Sequence, residues 1–318
     1  MAEHTANYNL EKQQENEFID IQGINSNFDI IDAQLKKNNQ DNYRPNMLIN
    51  GDFQIWQRGE SFDHTSIAGR FYTADRWCAI RGSLSAGAIV AKNGEYLNIT
   101  GSNDGKGASI TQSIESTVGR KCRGKKITLS LKVKSSVNSS ADIILAYSNA
   151  GEYIPGQSPT GIIAKKSIAI TPSFAIFEVT GIVPDDAQGL YITIDYTGSG
   201  SATLTYEYIK LEVNDHATPF IPRSYGEELE LCKRYYEAGD VSFALAKGVV
   251  YEPLSKFNVE KRITPTLTYQ TPTDVNNIPI AQIVGATYPR TTTVGAIELS
   301  GVAQYPIINI KYTADAEI

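Results

Sequence analysis

The chain has 318 residues, of which 41% are hydrophobic and 20% charged, with a net charge of −6. This composition is that of a soluble globular protein, and the acidic balance argues against a nucleic-acid partner, because phosphate binding needs clustered positive charge. No segment approaches the ~20 apolar residues that span a bilayer, and the start carries no apolar signal region, so no membrane insertion is expected.

The first segment, 1–45, is polar until Ile21, Ile24, Phe28, Ile31 and Leu35, which step by three and four residues as in a heptad. The spacing predicts a short helix. Ser26 followed by Asp29 resembles a capping-box start, Lys36 and Lys37 suit the negative end of the helix dipole, and the polar stretch from Asn38 to Asn42 separates the helix from the next segment. About two heptads are marginal alone in water, so the apolar stripe needs a cover. Either its own chain supplies one, or copies meet in a short coiled coil; self-association is favoured, and the number of copies does not follow from so few core positions.

From Asn46 to Arg223 the period changes to two. Ile127, Leu129, Leu131 and Val133 alternate with Thr128, Ser130, Lys132 and Lys134, as Leu190, Ile192, Ile194 and Tyr196 do with Tyr191, Thr193 and Asp195. Further strand-like runs cover 95–100, 142–148, 174–180 and 203–213, separated by turn clusters such as Pro155-Gly156 and Val183-Pro184-Asp185-Asp186. Short strands without intervening helices predict a mainly β fold, an antiparallel sandwich and more narrowly a jelly roll. Trp56 and Trp77 sit in strand-like runs beside Phe53, Ile55, Phe71 and Tyr72. In a groove either indole stacks on the apolar face of a sugar ring; buried, each anchors the core, which is the favoured reading. Tyr153, between Gly151 and Pro155-Gly156, reads as an exposed loop contact.

Pro219 and Pro222 close the sandwich. Ser224 with Glu227 three residues on signals a connecting helix over 224–239, ended by Gly239 and carrying Leu229, Cys232 and Tyr236 on one face. Strand character returns in a C-terminal β-rich domain, 240–318, at Thr266 to Tyr269, Ile278 to Ile283, Ala296 to Leu299 and Ile307 to Tyr312. Some eighty residues make a small private core, so this tail needs docking or oligomerisation.

Catalysis finds little support, and the chain is expected not to be an enzyme. His4, His64 and His216 lie in different segments without metal or triad spacing, and no Asp or Glu sits in an apolar context that would clearly raise its pKa. Cys78, Cys122 and Cys232 are isolated, without Cys-x-x-Cys spacing, and read as small buried or half-buried hydrophobes.

Three motifs in order carry a resemblance. Asn46-Met47-Leu48-Ile49-Asn50-Gly51-Asp52-Phe53-Gln54-Ile55-Trp56-Gln57-Arg58-Gly59, Tyr72-Thr73-Ala74-Asp75-Arg76-Trp77, and Ala217-Thr218-Pro219-Phe220 with Ser224-Tyr225-Gly226-Glu227-Glu228-Leu229-Glu230-Leu231-Cys232-Lys233-Arg234-Tyr235-Tyr236 are similar to the carbohydrate-binding-type module of phage tail fibres and related tail-derived particles. The segment from Ile24 to Asp32 resembles fibre segments just upstream of such modules. The resemblance implies a jelly roll, a homotrimeric fibre, attachment to a baseplate through the N-terminal segment, and binding of host cell-surface glycans. It implies a protein made in the bacterial cytoplasm that acts extracellularly on a virion tail or tail-like particle. Asn50-Gly51-Asp52-Phe53 also looks like the opening of jelly-roll modules from secreted glycosidases, many of which carry a structural calcium; carried over, the ligands would be Asp52 with Glu207 or Glu212. No other cofactor is expected.

Overall fold

The computed structural model describes residues 3–6, 10–12, 18, 20–41, 44–64, 69–81, 88–101, 109–198, 200–244, 257, 259–270, 281–284, 296–299 and 307–317. They fall into two compact units, residues 1–45 with 218–221 and residues 46–217 with 222–318.

In the first unit, β1 (Glu3–His4) and β2 (Glu11–Lys12) pair antiparallel, and α1 spans Ile21–Asp41. The helix starts earlier than the Ser26 signal indicates. Asp20 accepts the Gln22 N–H on its side chain at 2.9 Å and the Ile24 N–H on its carbonyl at 3.1 Å, so Asp20 does the capping and Ser26 lies inside the helix. The polar stretch from Asn38 also continues the helix to Asp41 rather than ending it. The Asn27 side chain holds α1 to β2, accepting from the Glu11 N–H and donating to its carbonyl, both at 2.9 Å. Ile21, Phe28, Ile31 and Leu35 are exposed.

The second unit is a sandwich of two six-stranded antiparallel sheets. Its strands are β3 (Ser61–Asp63), β4 (Gly69–Tyr72), β5 (Cys78–Arg81), β6 (Ala88–Asn93), β7 (Tyr96–Gly101), β8 (Ser109–Ile114), β9 (Lys126–Ser135), β10 (Ser139–Ser148), β11 (Gly161–Ile170), β12 (Ala175–Ile182), β13 (Gly189–Tyr196) and β14 (Thr203–Glu212). One sheet runs β11-β10-β13-β8-β5-β4 and the other β12-β9-β14-β7-β6-β3. The pairs β7 with β14, β8 with β13, β9 with β12 and β10 with β11 nest inside one another. That nesting is the two-Greek-key order of a jelly roll, so the fold expected from the alternation is the fold observed.

Period two does what it predicts. Ile127, Leu129, Leu131 and Val133 of β9 and Leu190, Ile192 and Ile194 of β13 face a single core and are buried. At about 1.5–3 kcal/mol per fully buried apolar side chain, this shared core is the main stabilising term of the sandwich. Phe53 fills its centre, with ring centroids 5.3 Å from Trp77 and 6.5 Å from Tyr206. Gly51 lets the 46–55 segment lie against β14: a Cβ there would meet the Ile209 carbonyl at 2.6 Å, and Ile209 donates its N–H to the Gly51 carbonyl at 2.7 Å.

The Ser224 signal is correct: α2 (Ser116–Gly119) is a single turn after β8, and α3 (Tyr225–Lys233) opens with the full capping box, Ser224 and Glu227 bonding each other's backbone N–H. Its end is misplaced by the Gly239 signal. The chain turns at Arg234 and enters β15 (Tyr236–Ala244), so Tyr236 and Gly239 belong to a strand, and the expected boundary at 240 falls inside it. Gly239 serves close approach instead of helix termination: it sits opposite Tyr312, whose hydroxyl would lie 2.9 Å from an added Cβ.

The remaining strands are β16 (Thr266–Tyr269), β17 (Ala281–Val284), β18 (Ala296–Leu299) and β19 (Ile307–Asp315). β17 and β18 pair antiparallel, and β15-β19-β16 form a three-stranded sheet. Residues 278–280 of the expected 278–283 strand lie outside the described residues. One face of the three-stranded sheet buries Phe257, Tyr312 and Ala314 beside the Lys261–Glu237 ion pair. Its other face presents Tyr236, Thr266, Thr268, Thr313 and Asp315, with Asp315 in register between Tyr236 and Thr266.

Candidate functional site

The motif segments, far apart in the chain, interlock at one end of the sandwich. Asn50 donates its side-chain amide to the Ile55 and Asp75 carbonyls at 2.9 and 3.0 Å, while its backbone N–H reaches the buried Glu228 carboxylate of α3 at 2.5 Å. Trp77 donates its indole N–H to the Asn50 carbonyl at 2.7 Å. Gln57 donates to both the Asp75 carboxylate and the Tyr236 carbonyl, the latter at 2.8 Å. Asn50, Phe53 and Arg76 hold positive φ of 57°, 59° and 70°, a conformation that costs energy in non-glycine residues and persists because these bonds fix it.

The interlocked segments project Arg58, Tyr72 and Tyr236 into a cavity of about 580 Å³ completed by Arg70, Thr266, Thr268, Thr313, Asp315 and Glu317. Alternation on β16 and β19 places their contributions on one sheet face, and β4 supplies Arg70 and Tyr72 from the facing sandwich edge. Arg58 is the centre. Its guanidinium lies 3.6 Å from the Tyr236 ring centroid and 5.1 Å from that of Tyr72. Asp315 approaches it at 3.5 Å, and Asp75 and Glu317 at 3.8 Å. Glu317 also pairs with Arg76, which donates to the Ser113 carbonyl at 2.8 Å and stacks on Tyr235 at 3.6 Å.

Burial dominates the electrostatics of Asp75, Tyr72 and Cys78, whereas at Arg76 burial is outweighed by the Glu317 charge together with weaker charges nearby. Burial pushes the Asp75 carboxyl up to about 6, against the lowering effect of the Gln57 hydrogen bond and of Arg58. Burial also raises the Tyr72 phenol, with the Glu317 charge adding to it, and lifts the Cys78 thiol to about 12. A second cavity, about 270 Å³, is walled by Met47, Ile49, Ile114, Val118 and Leu231, and its charged residues are paired, Arg234 with Glu115, Arg223 with Glu228 and Arg76 with Glu317.

The contact residues read from the sequence lie elsewhere. Tyr153 is not an exposed loop contact. It is 5% exposed and stacked on Tyr191 at 3.5 Å, and its hydroxyl donates to the Gln157 carbonyl at 2.9 Å, so the loop folds back and buries its own aromatic ring. Trp77, fully buried, anchors the core and reaches no groove. Trp56 is half-buried against the same core, with its N–H on the Phe53 carbonyl at 2.6 Å. Neither tryptophan lies in a strand: both sit in turns that the interlocked motifs shape.

The calcium ligands carried over by resemblance do not assemble. Glu207 pairs with Lys132 at 2.8 Å and Glu212 with Lys210 at 3.1 Å, so an ammonium already stands where the cation would be needed. Asp52 is held by Gln54 at 2.5 Å, and its buried Oδ1 lacks a hydrogen-bond partner. Among the described residues no three His, Cys, Asp or Glu side chains gather as a metal site. This set does not fit the six to eight oxygens calcium takes. Cys78, Cys122 and Cys232 are free and buried, as expected.

No protein-family model matches the chain, and no curated protein matches it in sequence. Solved structures similar to it include a CBM4 module (18% identity, TM-score 0.35, covering 52% of this chain and 98% of that one). Another is the CBM22-1–GH10 portion of Clostridium thermocellum xylanase 10B complexed with xylohexaose (10% identity, TM-score 0.35, covering 53% and 28%). A third is a family 11 carbohydrate-binding module from Clostridium thermocellum complexed with a β-1,3-1,4-mixed-linked tetrasaccharide (16% identity, TM-score 0.32, covering 48% and 100%). The fold assignment rests on the nested strand pairs themselves.

Proposed function

We propose that the protein is a receptor-binding fibre of a phage or phage-tail-like particle, which attaches to a host cell-surface glycan through the Arg58 pocket and does not cleave it. The composition of that pocket carries the glycan reading. Sugars offer hydroxyls that donate and accept, plus apolar ring faces; Arg70, three threonines and Asp315 supply hydrogen-bonding partners around the Tyr72 and Tyr236 rings. The cavity falls within the size range of small-molecule sites. Self-association into a homotrimer, the copy number the resemblance implies, would cover the exposed stripe Ile21, Phe28, Ile31 and Leu35 on α1. Three shallow sites on one fibre raise avidity without any new contact. The N-terminal segment then joins a baseplate or tail protein, the chain being made in the bacterial cytoplasm and acting outside it.

The test is binding of the purified full chain, sized by sedimentation, to intact bacterial cells, with soluble wall polysaccharide as competitor and reducing ends assayed in parallel. Competed binding without released sugar is expected. A trimer that binds no cells would make the fibre a structural spacer, and released oligosaccharide would make it a depolymerase.

A further inference from the structure

We infer that Arg70 is the cationic side chain of the Arg58 pocket that meets the glycan, and that the 149–160 loop, through the Pro155 carbonyl, holds its guanidinium ready to do so. This rests on the glycan-binding reading and deepens it by naming the contact and what aims it.

The cations around the pocket differ in access. Arg58 is 10% exposed and Arg76 4%, and carboxylates balance the charge of both. Arg70, on β4, is exposed, lines the cavity, and has no carboxylate partner among the described residues. Its one side-chain hydrogen bond among them runs from Nη1 to the Pro155 carbonyl at 3.1 Å. A guanidinium carries five N–H donors in a rigid planar fork, so fixing one leaves the others to meet ligand oxygens in a set direction.

The loop presents that carbonyl by its own construction. Ile154, Pro155, Gly156 and Gln157 form a turn closed by the Gln157 N–H on the Ile154 carbonyl at 3.1 Å, with Gly156 at a φ of 88°. Pro followed by a positive-φ Gly is the arrangement of a type II turn. Its internal hydrogen bond uses the Ile154 carbonyl and leaves the Pro155 carbonyl to accept from outside. Tyr153 locks the turn in place. Its ring stacks on Tyr191 of β13 at 3.5 Å, while its hydroxyl donates to the Gln157 carbonyl at 2.9 Å and accepts the Gly156 N–H at 3.2 Å. The Glu152–Arg262 ion pair ties down the start of the loop. Tyr153 is 5% exposed, so it acts on a ligand only through what it positions. Ordering a free arginine on binding costs a factor of about 3 to 10 in affinity, and the loop removes part of that cost in advance.

The experiment measures binding to soluble bacterial wall polysaccharide by calorimetry for the full natural chain, Arg70→Ala, Tyr153→Ala and the double variant. Arg70→Ala should weaken binding at least about tenfold and Tyr153→Ala by about 3- to 10-fold. In the double variant the second change should add nothing, because the loop has lost the residue it aims. Where Tyr153→Ala fails to fold, Gly156→Ala takes its place: the added Cβ meets no atom within 4 Å, but a φ of 88° disfavours alanine, so the turn has to shift. Losses that add in the double variant overturn the positioning role, and full binding by Arg70→Ala overturns the contact; both results leave the glycan-binding reading standing. A natural chain that binds no wall polysaccharide overturns that reading and this inference together.

Discussion

Replacing Asp75 by Asn probes the electrostatic floor of the pocket. Asp75 is 1% exposed, accepts from Gln57, and lies 3.8 Å from Arg58; burial nevertheless wins and lifts its carboxyl from 3.8 to about 6. A carboxyl whose folded pKa is raised contributes stability that is fully present below pH 3.8 and lost as pH rises through about 6. At 1.36 kcal/mol per pH unit, that interval corresponds to about 3 kcal/mol. Asn keeps one acceptor oxygen, resembles the protonated acid and does not titrate. Urea unfolding of both proteins, followed by tryptophan fluorescence from pH 3.5 to 7.5, isolates Asp75 because all other groups cancel in the difference. The natural chain should lose about 3 kcal/mol relative to Asp75→Asn between the two ends, most of it between pH 4 and 6. A flat difference, or a natural chain that gains stability as pH rises, would show that the Arg58 pairing outweighs burial and would refute the assignment.

Trp77→Ala empties the centre of the core and strands the Asn50 carbonyl, so a loss of about 3–5 kcal/mol in urea unfolding is expected. Ser224→Ala removes the cap of α3 and should cost about 1 kcal/mol by the same measurement, with no change in oligomeric mass. Because burial raises their pKa, Cys78, Cys122 and Cys232 should all resist an aromatic disulfide reagent at pH 8 in the folded protein and all react in urea; one fast thiol in the native state would contradict their placement.

The sandwich was legible where polar and apolar residues alternate. In β9, Thr128, Ser130, Lys132 and Lys134 alternate with Ile127, Leu129, Leu131 and Val133, so period two is visible without a structure, although Thr128 and Ser130 are buried as well. It fades in β8, where every residue from Ile110 to Ile114 is buried, and in β10, where a bulge between Leu145 and Ala146 shifts the register. β11 was missed because Lys165 and Lys166 interrupt its apolar run; the first pairs with Asp142 and the second donates to the Glu178 carbonyl. The Ser224 cap could be read because both its partners lie within three residues, whereas the role of Gly239 depends on Tyr312 across the sheet. The pocket was illegible for the same reason. Arg58, Tyr72 and Tyr236 belong to the motifs that carried the resemblance; what makes them a site is β19 with the residues after it, which bring Asp315 and Glu317 to Arg58 across the length of the chain. Tyr153 was judged by its turn-forming neighbours, and those neighbours fold the ring inward.

The most direct measurement of the central claim is amide hydrogen exchange of the full chain with and without a saturating oligosaccharide from host wall polysaccharide. Slowed exchange should concentrate in three stretches far apart in sequence, 56–59, 69–72 and 311–317, which meet around Arg58. Protection confined to the 149–160 loop, or to the sandwich with β19 unaffected, would contradict the account.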